Sequence, residues 1–79
     1  MIQFIKGRNY RVALPEGDEA TYTVQLRTSQ YVFLHDGKRK QFQKQIFKAD
    51  GVETCNMFTG KYPQPLILSA KNIVERKGK

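Results

Sequence analysis

Apolar residues in this chain recur at every second position, in runs too short to build a helix, and turn residues cut each run. Tyr10, Val12 and Leu14 alternate with Arg11 and Ala13 until Pro15-Glu16-Gly17-Asp18-Glu19 breaks the pattern as an acidic turn. Tyr22, Val24 and Leu26 alternate with Thr23 and Gln25 as far as Thr28-Ser29-Gln30. A period of two carried by β-branched and aromatic side chains predicts strands with one face buried. Tyr31-Val32-Phe33-Leu34 is a compact apolar run that stops at Asp36-Gly37, and a second Asp-Gly stands at Asp50-Gly51. Asp-Gly favours a type I′ hairpin, because both central residues of that turn take positive φ. From Val52 to Phe58, Val52, Thr54 and Asn56 share one side and Glu53, Cys55 and Met57 the other, with Cys55 and Met57 directed inward. Thr59-Gly60-Lys61-Tyr62-Pro63-Gln64-Pro65 reads as a loop, since its prolines cannot donate to a sheet ladder. Leu66-Ile67-Leu68 and Ile73-Val74 are the last apolar runs.

Five or six short strands at roughly ten-residue spacing predict an all-β domain, a small barrel or sandwich. The 79 residues suit one domain, with the polar tail 75–79 expected to fray. The segment Leu66-Ile67-Leu68-Ser69-Ala70-Lys71-Asn72-Ile73-Val74-Glu75 resembles the close of Src-homology-three-like barrels, where an apolar strand leads through one tight helical turn into a short last strand. That resemblance places Leu68, Ile73 and Val74 in strands around a turn at Ser69-Ala70-Lys71-Asn72. The expected architecture is a five- to six-stranded barrel, Src-homology-three-like or oligonucleotide-binding-like, with at most one short helix or helical turn. Such barrels host many functions. The acidic loop and aromatic groove of the proline-peptide-binding family are not recognisable, and the chain has no Trp, so peptide recognition is not carried over.

Between the two Asp-Gly pairs lies Lys38-Arg39-Lys40-Gln41-Phe42-Gln43-Lys44-Gln45-Ile46-Phe47-Lys48, with five of the fourteen basic residues and no acid. As a helix it would align Phe42, Ile46 and Ala49, with Gly51 beyond its end as a C′ residue. Basic residues in its first turn would oppose the helix dipole. As a strand it sets Lys40, Phe42, Lys44, Ile46 and Lys48 against Gln41, Gln43, Gln45 and Phe47. The framing turns favour a long strand, bent or bulged.

A net charge of +7 favours polyanions: nucleic acid, acidic protein surfaces or anionic headgroups. Solubility alone is the plainer alternative. Single Cys55 allows no intramolecular disulfide and fits a reducing, cytoplasmic setting. The opening residues are too poor in apolar side chains for a signal h-region, and no window approaches a membrane span. His35 and Cys55 form no recognisable nucleophile–base pair, one Cys and one His do not make a zinc site, and no glycine-rich phosphate loop exists. These absences argue against an enzyme and imply no cofactor.

The basic segment therefore carries the functional expectation, a non-catalytic and weakly sequence-specific nucleic-acid contact. Lys38, Arg39, Lys40, Lys44 and Lys48 would follow phosphates, Tyr31 and Phe42 would stack on bases, and Gln41, Gln43 and Gln45 would hydrogen-bond. In the plainer reading Phe42, Ile46 and Phe47 are core and the lysines solvate an edge. Lys6, Arg8 and Arg11, with Arg76 and Lys77, would widen the patch if the first and last strands pair. The alternative function is a protein-interaction or assembly module of phage or mobile-element origin, using a strand edge or the Tyr62 loop. Homo-oligomerisation stays open in either case.

Overall fold

The computed structural model describes residues 1–57 and 65–74, which form eight strands and no helix. The strands are β1 (Asn9–Ala13), β2 (Glu19–Arg27), β3 (Tyr31–His35), β4 (Gln41–Gln45), β5 (Phe47–Ala49), β6 (Val52–Met57), β7 (Leu66–Ser69) and β8 (Ile73–Val74). They make two antiparallel sheets, one ordered β4-β3-β2-β1-β8 and the other β5-β6-β7. The domain is all-β as expected. The strand pairing among the described residues does not close into a barrel, because β4 and β5 belong to different sheets and leave edges. The loop at residues 59–65 falls largely outside the described residues, as do Arg76, Lys77 and the tail at 75–79.

Alternation builds the core. Tyr10 and Val12 of β1, Tyr22 and Val24 of β2, and Val32 and Leu34 of β3 meet Cys55 and Met57 of β6 and Leu68 of β7 between the sheets. Phe4 joins them from the N-terminal segment, its ring edge-on to Tyr10 at 5.1 Å between centroids. Such aromatic pairs add about 0.5–1.5 kcal/mol beyond the area they bury. The Tyr10 hydroxyl accepts the Ile5 amide at 2.8 Å, so the buried ring keeps a partner for its polar end.

The basic segment is the expected bent strand. β4 and β5 are separated by Ile46 alone, which is buried and donates its amide to the Gln30 carbonyl at 2.8 Å. At that residue the chain leaves one sheet and enters the other. The tight turn at Ser69-Ala70-Lys71-Asn72 is present, closed by the Asn72 amide on the Ser69 carbonyl at 3.0 Å, and Leu68, Ile73 and Val74 lie in strands on either side. β8 pairs with β1, Asn9 opposite Val74 and Tyr10 opposite Ile73.

One alternation is interrupted. The register of β2 against β3 shifts between Val24 and Leu26, leaving Gln25 as a bulge. Val24 lies opposite Leu34 on the core side, but beyond the bulge it is Arg27, opposite Val32, that turns inward. Leu26 lies opposite Phe33 and is 49% exposed, which corrects the expectation that it shares the buried face of Tyr22 and Val24. An extra residue in one strand reverses the facing of everything after it.

Candidate nucleic-acid interface

The two Asp-Gly pairs build different turns. Asp50 (φ 56) and Gly51 (φ 78) are both left-handed and join Ala49 directly to Val52, which is the two-residue hairpin that the dipeptide predicts. At Asp36-Gly37 only Gly37 (φ 84) is left-handed, so the type I′ expectation fails there. His35 and Gln41 are the last paired residues, and five residues bridge them. The Asp36 carboxylate accepts the amides of Lys38 at 2.8 Å and Lys40 at 3.3 Å. Those amides hold its pKa below the ordinary carboxylate value, the Lys38 amide most strongly. His35 Nδ1 accepts the Gly37 amide at 3.0 Å. The loop is thus wound around acceptors that satisfy its backbone, and Lys38, Arg39 and Lys40 are all exposed. None of the three forms an ion pair among the described residues.

Beside that loop lies the outer face of β3 and β4. Because Val32 and Leu34 face the core, Tyr31, Phe33 and His35 face out, and their partners across the ladder are Gln45, Gln43 and Gln41. The expected grouping of the three glutamines on one side of the strand is present. Tyr31 is 38% exposed on this face. Leu26, Phe33, Gln41, Phe42, Gln43 and the bulged Gln25 line a groove of about 440 Å³.

The five cations expected to follow phosphates do not all lie on one surface. Lys44 lies opposite Val32 on the core side of β4, half-buried, with its ammonium 5.9 Å from the Phe42 ring centroid. Phe42 is itself half-buried and packs edge-on against Tyr22 at 5.8 Å. Lys48 is exposed, but it stands on β5 in the other sheet, opposite Glu53. Alternation and the sheet change at Ile46 together scatter these side chains. The loop cations stand at the His35–Gln41 end of β3 and β4 and Tyr31 at the other end, opposite Gln45, with Phe33 between them and Leu26 beside it, two residues that sequence reasoning did not select. Phe33 was legible by parity, two residues from Tyr31. Leu26 was not, because its facing depends on the bulge. Arg11, on the outer face of β1, is 4.0 Å from Glu19.

Inside the fold, Glu53 is fully buried and ion-paired with Arg27, whose Nη2 donates to Oε2 at 2.9 Å. The Phe4 amide donates to Glu53 Oε1 at 2.9 Å, and Arg27 Nη1 also donates to the Phe4 carbonyl at 3.0 Å. Burial pushes the Glu53 carboxyl up, but the Arg27 hydrogen bond, the Phe4 amide and the charges of Arg27 and Lys48 outweigh it and leave the pKa lowered. Cys55 is also fully buried, and desolvation pushes its thiol up to about 12. It stays a protonated core side chain at neutral pH, unlike an activated nucleophile. Among the described residues no three His, Cys, Asp or Glu side chains gather as a metal site. Comparison with protein-family models, curated proteins and solved structures returns no significant match.

Proposed function

We propose that this protein is a non-catalytic nucleic-acid-binding domain, electrostatically driven and weakly sequence-specific. The observation that carries the reading is the Asp36–Lys40 loop. Its one carboxylate is engaged with its own backbone, and its three cations are exposed and form no ion pair among the described residues. A cluster of exposed cations in a chain of net charge +7 attracts phosphates and gains by releasing their counterions. The adjoining face supplies rings and amides without further charge, which suits contacts to bases. The turn at residues 69–72 and the β1–β8 pairing also fit a Src-homology-three-like chain path, an architecture used for such binding among other roles.

Fluorescence anisotropy of a labelled oligonucleotide, titrated from low to high salt, tests this reading. Three phosphate contacts predict a log–log slope of affinity against salt near −2 to −3, from about 0.7–0.9 per contact. Absence of binding at low salt, or an affinity indifferent to salt, overturns it.

A second reading, an assembly module, has its own observation. The small sheet ends in edge strands β5 and β7, where Phe47 is 46% and Ile67 60% exposed. Light scattering on the purified chain separates the two: a stable oligomer that does not bind oligonucleotide favours assembly.

A further inference from the structure

We infer that the occupant of this interface is a single strand of nucleic acid, with bases laid on Tyr31 and Phe33 and phosphates on Lys38, Arg39 and Lys40. This rests on the nucleic-acid reading above and names its substrate class.

Three features of the outer face carry the inference. The first is the ladder of cross-strand pairs: Tyr31 opposite Gln45, Phe33 opposite Gln43 and His35 opposite Gln41. Each of the first two pairs sets an aromatic ring beside an amide, a stacking surface next to a group that both donates and accepts hydrogen bonds. A duplex hides its base faces within its own stack and offers such rings nothing except at its ends. An unpaired strand offers every base face.

The second is spacing. Side chains two apart on a strand stand about 6.6–6.8 Å apart. That is twice the rise of about 3.4 Å per nucleotide in a stacked strand. Adjacent bases can meet both rings only if the strand is drawn out and unstacked, which duplex pairing forbids.

The third is where the charge lies. Tyr31, Phe33, Gln41, Gln43 and Gln45 put no cation on the face itself, and Lys38, Arg39 and Lys40 sit together, exposed, in the loop at its His35–Gln41 end. A duplex lying across the sheet would set phosphates of both strands over uncharged glutamines. One strand can set phosphates on the loop and lay the bases that follow along β3, first on Phe33 and then on Tyr31 at the far end. The groove of about 440 Å³ beside Phe33 adds a recess within the range of roughly 300–1,000 Å³ usual for ligand sites.

The test measures anisotropy with 12-nucleotide single strands of DNA and of RNA and with the corresponding duplexes, at one low salt concentration. The wild-type protein is compared with Tyr31→Ala, Tyr31→Phe and Phe33→Leu, each checked for an unchanged melting curve. The inference predicts single strands bound at least tenfold more tightly than duplexes. Tyr31→Ala and Phe33→Leu should each weaken single-strand binding by roughly tenfold, the scale of one lost stack, while Tyr31→Phe, which keeps the ring, should bind like wild type. Duplex binding equal to or tighter than single-strand binding overturns the inference and leaves nucleic-acid binding standing. So does a Tyr31→Ala variant that folds and binds like wild type. No binding to any of the four probes overturns both readings together. The relative affinities of the DNA and RNA strands show which of the two sugars the site prefers.

Discussion

The fold treats two groups of charge in opposite ways. Arg27 and Glu53 are brought inside, paired with each other and with the Phe4 backbone, and tie the N-terminal segment to β2 and β6. Lys38, Arg39 and Lys40 are put outside on a loop whose own carboxylate faces its backbone amides. Charge of the first kind is consumed by the fold, and removing it damages the fold. Charge of the second kind has no internal use, and removing it should spare the fold and damage what the protein binds.

Breaking the inner group should have the largest effect. Glu53→Ala strands Arg27 and the Phe4 amide in a buried site, and loss of one partner of such a pair costs about 3–5 kcal/mol. A chain of this length has about 4–12 kcal/mol in total, at roughly 0.05–0.15 kcal/mol per residue. Urea denaturation should therefore show the variant partly or wholly unfolded. A double Arg27→Met, Glu53→Met variant should recover much of that loss, because both charges leave together.

Acid should have a smaller and graded effect. The folded-state pKa of Glu53 lies below its ordinary value of 4.5, so between the two values the unfolded chain binds more protons than the native one. The stability this carboxylate contributes is full above 4.5 and is lost as pH falls through its folded value. Asp36, lowered by the Lys38 and Lys40 amides, acts in the same direction. Denaturation midpoints followed from pH 7 downward should decline below about pH 4.5, the usual range for a carboxylate. The decline should be shallower in Glu53→Gln.

Asp36→Ala sharpens the other side and should have the smallest effect. It removes the acceptor that fixes the Lys38 and Lys40 amides but leaves all three cations in place. Oligonucleotide affinity should drop less than on charge reversal, with the melting temperature almost unchanged, as anisotropy and thermal denaturation would record.

How far the sequence discloses this division depends on the residue. Period-two alternation reveals the strands, and the two framing Asp-Gly pairs favour a bent or bulged strand for the basic segment, but where it bends, at Ile46, shows only in the sheet pairing. Asp50-Gly51 makes the turn its dipeptide favours, while the same dipeptide at Asp36-Gly37 is captured by side-chain acceptors from Asp36 and His35. Dipeptide preference is local and weak, and a competing hydrogen bond decides between turns. The inner pair was hidden for a different reason. Glu53 shares its parity with Cys55 and Met57 and so points inward, but its burial needs Arg27, which alternation directs outward. The bulge at Gln25 turns Arg27 in, and the same step turns Leu26 out beside Phe33. A one-residue slip in register leaves no mark on hydrophobic periodicity until the ladder is seen.

Reversing the loop charges together, in Lys38→Glu, Arg39→Glu, Lys40→Glu, and measuring melting and salt-dependent oligonucleotide binding on one preparation separates a binding role of these cations from a structural one. The triple variant should melt close to wild type, since exposed substitutions usually fall within about ±0.5 kcal/mol each, and should lose binding at low salt. A variant that melts normally and still binds with the wild-type salt slope would contradict the binding role.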